Sequence, residues 1–99
     1  MKELFKIIDV FQISKAGVVI TGNGPQCSTA SKESVLKSIS SKVLIKNLSG
    51  KEEVYHVKIK DVVFPCFSSD LLWAILISLG FDVEFDSIER GSIVYALDE

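Results

Sequence analysis

Two runs rich in β-branched and aromatic residues, Ile7 to Ile13 and Val18 to Thr21, are separated only by Ser14-Lys15-Ala16-Gly17. Such side chains lose rotamer freedom in a helix and pack well on a pleated surface, and the connection is of hairpin length. Residues 6 to 22 therefore predict two antiparallel strands. The arrangement recurs where Val43-Leu44-Ile45 and Val54 to Lys60 flank the turn cluster Asn47-Leu48-Ser49-Gly50. In the second arm of this hairpin, period-two alternation puts Tyr55, Val57 and Ile59 on one face and Val54, His56, Lys58 and Lys60 on the other. Ser92 to Ala96 follows a Gly91 turn and predicts a closing strand. At least five strands in 99 residues leave room for one domain, spanning 1–99, and imply a small barrel or sandwich.

One further segment is read as a loop and two are left open between helix and strand. Asn23-Gly24-Pro25-Gln26 carries breaker chemistry, because glycine permits positive φ and proline removes a ladder donor, and predicts a loop running to about Glu33. Leu71 to Leu79 follows an N-cap cluster, Ser68-Ser69-Asp70, and ends at Gly80. Local rules there favour a buried helix, while a continuous buried strand fits the same apolar run. Between Ser31 and Ser41, Val35, Leu36 and Ile39 suit a short helical face, and Val35-Leu36-Lys37 equally suits a brief strand.

The composition, 47% hydrophobic and 24% charged, is that of a chain able to bury a core. A formal charge of −2 gives no general footprint for a polyanion binder. That small total conceals a polarity. Residues 1–60 hold ten basic and five acidic groups, net +5, and residues 61–99 hold one basic and eight acidic, net −7. The longest apolar run, Leu71 to Ile77, is far short of the roughly 20 residues that cross a bilayer. The first residues, Met1-Lys2-Glu3-Leu4-Phe5-Lys6, lack a long apolar signal, so a cytoplasmic protein with Cys27 and Cys66 as free thiols is expected.

Phe5-Lys6-Ile7-Ile8-Asp9-Val10-Phe11-Gln12-Ile13 followed by Gly17-Val18-Val19-Ile20-Thr21-Gly22 resembles the opening hairpin of the second domain of translational GTPases of the elongation factor Tu kind. The likeness continues through Ser34-Val35-Leu36-Lys37 and Lys42-Val43-Leu44-Ile45, and ends in Ile88-Glu89-Arg90-Gly91-Ser92-Ile93-Val94. The resemblance implies a stand-alone, closed antiparallel β-barrel of six to seven strands without the GTPase domain. It implies strands, not helices, at Leu71 to Leu79 and at Val35 to Lys37. The chain departs from the pattern by a loop insertion at about 23–33 and by Lys15-Ala16 where the family often places Gly-Arg. The family barrel contacts tRNA and the ribosome, so an RNA- or ribosome-associated role is the function the likeness carries.

Catalytic chemistry is thin. Gly17 to Gly22 has the glycine spacing of a phosphate-binding loop, but Asn23-Gly24 stands where Lys and Ser or Thr are required. His56 is the sole histidine, and Cys27, His56 and Cys66 offer none of the standard zinc spacings. No enzyme, cofactor or metal is expected. Asp82, Glu84 and Asp86 alternate with Val83 and Phe85, so an extended backbone would present three carboxylates together, with Glu89 nearby. Such an acidic strip steers association with a cationic surface. The expected function is stoichiometric binding of a protein partner, in concrete form an immunity or antitoxin-like protein neutralising a basic toxin. The alternative is RNA binding on a face formed by Lys42, Lys46, Lys58 and Lys60.

Overall fold

A computed structural model describes residues 2–63 and 71–97. Seven strands form one antiparallel sheet: β1 Lys2–Ile13, β2 Gly17–Gln26, β3 Lys42–Lys46, β4 Glu52–His56, β5 Ile59–Val63, β6 Leu72–Gly80 and β7 Ile93–Ala96. One helix, α1 Lys32–Ser38, lies between β2 and β3, and a single 3-10 turn occupies Phe85–Ser87. The chain is thus mostly β. The strand order is β4-β3-β7-β1-β2-β6-β5. β1 serves two partners, pairing with β7 through its first residues and with β2 from Ile7 onward, with register shifts between Glu3 and Phe5 and between Ile7 and Asp9. Bulges of this kind bend a strand and increase its twist. The sheet therefore coils about a core formed by Phe5, Ile7, Val18, Ile20, Val43, Ile45, Val62, Ile75, Ile77 and Val94. Each isoleucine buried this fully contributes about 1.5–3 kcal/mol.

The two end strands of the sheet, β4 and β5, are consecutive in the chain and separated only by Val57-Lys58. The Val57 amide donates to the Ser41 carbonyl (2.8 Å), beside β3, and the Lys58 amide donates to the Ser78 carbonyl (2.8 Å) on β6. Opposite ends of the sheet order therefore meet at this corner. Among the described residues no ladder joins β4 to β5, so the sheet is not closed by hydrogen bonds. The single strand expected over Val54 to Lys60 is corrected accordingly. It breaks at 57–58 because its halves pair with different neighbours, β3 and β6, and Ile59 is 57% exposed instead of sharing an apolar face with Tyr55 and Val57.

α1 lies beside β5, and Lys60 of β5 reaches it, its ammonium donating to the carbonyls of Leu36 (2.9 Å) and Ile39 (2.8 Å) at the helix C-terminus. This corrects the strand that the resemblance implied at Val35 to Lys37. The helix wins because Ser31 caps it, its Oγ accepting from the Ser34 amide (3.1 Å), and because Val35 and Ile39, four residues apart, are both buried. The loop expected from Asn23 is also corrected, since β2 continues to Gln26. Its pairing with β1 ends at Gly22, so Pro25 costs no hydrogen bond on that side, and a register shift between Asn23 and Gln26 absorbs the proline against β6. The strand at Leu71 to Leu79 is borne out by β6, whose Ile75, Ile77 and Leu79 point to the core while β2 and β5 pair with it on either side. The two hairpin turns and the closing strand also form where expected. At the second turn Asn47 Oδ1 accepts from the Ser49 amide (3.1 Å), the Ser49 hydroxyl (2.8 Å) and the Lys51 amide (2.9 Å). Among the described residues no helix is long and apolar enough to cross a membrane.

Candidate interaction surface

Between β6 and β7 the chain runs through Phe81-Asp82-Val83-Glu84-Phe85-Asp86-Ser87-Ile88-Glu89-Arg90. The extended strip expected for its carboxylates is corrected. Residues 81–83 bend and Glu84 caps the 3-10 turn at Phe85–Ser87, because Gly80 leaves β6 at φ +84 and no neighbouring strand receives the segment. The charges nevertheless stay together on one exposed loop. Asp82, Glu84, Asp86 and Glu89 are all exposed, and none forms an ion pair among the described residues. Two aromatics are interleaved with them, Phe81 at 69% exposure and Phe85 at 38%.

The loop is pinned at its far end. Ile88 is buried, the Gly91 amide donates to the Ile7 carbonyl (2.8 Å), and the Arg90 guanidinium pairs with Asp9 of β1 (3.1 Å). Its 3-10 turn lies beside β1. On β4, Tyr55 donates its hydroxyl to Glu53 (2.7 Å) and Lys51 pairs with Glu53 (3.3 Å), while the Ser87 hydroxyl donates to the Glu84 carbonyl within the loop (2.6 Å). Burial pushes the Tyr55 phenol up to about 12, aided by the hydrogen bond to Glu53 and that carboxylate's charge, with Ser87 acting in the opposite sense. Glu53 is held below the usual carboxylate range first by the Tyr55 hydroxyl and then by Lys51. The acidic loop thus rests on a scaffold and is not a dangling tail.

At its near end the loop meets a second surface. Phe81 and Asp82 share a cleft of about 320 Å³ with Ile59, Ser78, Lys15 and Lys58. Ile59 ends a cross-strand row, Phe11–Val19–Ser78–Ile59, on the sheet face turned away from the core. Val19 is 5% exposed yet lies outside the core cluster, because Phe11 and Ser78 flank it on this outer face. Phe11, Ile13, Ile59 and Phe81 are all more than 40% exposed there. Exposed apolar side chains gathered this way mark interaction sites. Sequence reading missed this face. The signal was available in the unbroken apolar run Val18-Val19-Ile20, too apolar for a strand with one solvated side.

The four lysines of the RNA reading do not act alike. Lys60 is committed to the α1 carbonyls, and the Lys58 stem packs over Gly80. Lys46 stands opposite Glu52, and Lys42 opposite His56. His56 is exposed at the end of β4. Cys27 is a half-buried free thiol in the turn after β2, and Cys66 lies outside the described residues. Among the described residues no group of three or more His, Cys, Asp and Glu side chains is placed to hold a metal.

The fold and this surface define a small antiparallel β-protein with an acidic, aromatic-bearing loop. No family model matches the chain, and no characterised protein or solved structure matches it either.

Proposed function

We propose that this chain is a stoichiometric, non-enzymatic binding module for a cationic protein, in concrete form an immunity or antitoxin-like protein that neutralises a basic toxin in the cytoplasm. The observation that carries the reading is the loop at 81–89, where four unpaired carboxylates surround Phe81 and Phe85 on a scaffolded turn. Aromatic anchors supply binding energy at interfaces and the surrounding carboxylates steer a basic surface onto them. Phe11 and Ile59, exposed at the two ends of the cross-strand row, extend that apolar contact.

The proposed architecture behind this role is a barrel like the second domain of translational GTPases. Its support is the seven-stranded order, the resemblance at Phe5 to Gly22 and Ile88 to Val94, and the two-residue step from β4 to β5. The RNA reading has weaker support, because Lys60 is engaged within the fold and Lys46 faces Glu52.

The test is affinity capture from the native cell with wild type, an Asp82→Lys/Glu84→Lys/Asp86→Lys variant, and Phe81→Ala. A basic protein retained by wild type should be lost with the charge reversal, and its retention should weaken as salt rises. Phe81→Ala should weaken retention at every salt concentration. Unchanged retention and salt dependence in the reversed variant, or retention of RNA in place of protein, would refute the reading.

A further inference from the structure

A second cleft, of about 150 Å³, opens between the β3–β4 hairpin and the end of the acidic loop. Its walls carry Glu53, Tyr55, Glu89, Ser92, Lys51 and Asn47. One of these groups has no evident structural purpose. Ser92 is 1% exposed, and its hydroxyl is the one buried side-chain polar atom, among the described residues, without a hydrogen-bond partner. The Ser92 backbone is engaged, its carbonyl accepting from Ile7 (2.8 Å) and its amide donating to Glu89 (3.3 Å), and only the hydroxyl is left over. A buried hydroxyl left unpaired carries the full cost of its desolvation, and such a group in a native fold calls for an explanation.

We infer that this cleft receives a cationic side chain, an arginine in particular, from the protein partner; the partner's existence rests on the reading above, the cleft's chemistry does not. The wall is built of acceptors. The Tyr55 hydroxyl spends its proton on Glu53 and keeps its oxygen lone pairs, the Ser92 oxygen is unengaged, and Glu53 and Glu89 bring two negative charges. Asn47 is closed to a ligand, because its Oδ1 already takes three donors and forms a rigid side wall. The opposing charge is Lys51, whose side chain is 69% exposed and can leave Glu53 for solvent when another cation arrives. Guanidinium offers five donors in a planar fork and sheds its hydration more readily than ammonium, which suits a site with several converging oxygens. Arginine bound in such a pocket is a frequent anchor at protein interfaces.

The probe is Nα-acetyl-arginine amide, titrated into the isotope-labelled full chain and followed by amide chemical shifts, with the neutral isostere Nα-acetyl-citrulline amide as control. Saturable shifts centred on residues 47–55 and 87–92 are expected with the arginine probe and absent with citrulline. Ser92→Ala and, separately, Glu89→Gln should each weaken that binding by about five-fold or more, as expected for loss of one partner of a charged hydrogen bond. Glu89 is exposed, so its variant keeps the test valid even if Ser92→Ala alters folding. No saturable shift, equal shifts with citrulline, or undiminished affinity in both variants would overturn the inference. The titration uses no partner and leaves Asp82, Glu84 and Asp86 intact, so its failure is separable from failure of the capture experiment.

Discussion

Lys60 is the residue at which the two functional readings make opposite demands. On an RNA-binding face its ammonium would be free and its removal would leave stability alone; in the structure it closes the C-terminus of α1. Lys60→Met keeps the aliphatic stem and deletes two charged hydrogen bonds, to Leu36 O at 2.9 Å and Ile39 O at 2.8 Å. Hydrogen bonds to charged groups are worth about 1.5–3 kcal/mol each when protected from solvent. Lys60 is an exposed residue, and water can reach the Leu36 carbonyl after the deletion, so the pair together is worth about 1.5–2 kcal/mol. A favourable contribution from a cation at a helix C-terminus is included in that figure. The loss should be felt locally first, because a seven-residue helix is not stable alone and depends on its tertiary contacts. Urea denaturation should show the midpoint falling by about 1.5–2 M for a slope near 1 kcal/mol/M, with the slope unchanged. Native-state hydrogen exchange should quicken at Val35 and Ile39 before it does in β2 or β6. A midpoint within about 0.3 M of wild type, with exchange at Val35 and Ile39 unaltered, would refute the assignment of Lys60 to the fold.

Other outcomes follow from single contacts. Gly17→Ala should cost more than about 3 kcal/mol in chemical denaturation, since Gly17 has φ +79 and an added Cβ would collide with the Gly80 carbonyl. Gly50→Ala should cost only about 1 kcal/mol, because φ is +93 there but a Cβ meets nothing within 4 Å; equal losses in the two variants would refute the steric account. In a Tyr95→Phe background, the absorbance change of the remaining phenol, Tyr55, should centre near 12, and a midpoint near 10 would refute the burial of Tyr55 together with its hydrogen bond to Glu53. A phenol with its folded pKa raised keeps its full contribution below pH about 10, the unfolded value, and loses it as pH climbs from 10 to 12. Discounted for solvent screening, that loss is about 1 kcal/mol.

The hairpins were legible because everything that forms them lies within a few residues. Asn47 Oδ1 binds the amides two and four positions ahead, and Ser14-Lys15-Ala16-Gly17 ends on the glycine that takes positive φ. The helix at Lys32–Ser38 was half legible: Val35, Leu36 and Ile39 suited a helical face and a brief strand equally, the family pattern tipped the reading to strand, and the Ser31 cap and the burial of Val35 and Ile39 decide for the helix. β6 was not, since nothing in its own residues separates a buried helix from a buried strand and the decision lies with β2 and β5. Of the candidate surface, the acidic residues could be named in advance but not their conformation. The cleft at Ser92 could not be foreseen, because Tyr55 and Ser92 stand 37 positions apart and meet only through the packing of β3, β4 and β7.

Residue type and short-range spacing were enough for a β-rich chain, its two hairpin turns, its closing strand and a charge polarity of +5 against −7, because each of these depends on residues close together in the chain. Tertiary structure alone decided that β7 would insert between β1 and β3, that Val54 to Lys60 would break into two strands at opposite ends of the sheet order, and that Lys60 would turn inward to a helix. It also decided that the carboxylates of 82–89 would stand on a pinned loop beside two exposed phenylalanines. Those outcomes depend on which distant strands and carbonyls satisfy one another, and a pairing between remote segments leaves no mark in the local spacing of either.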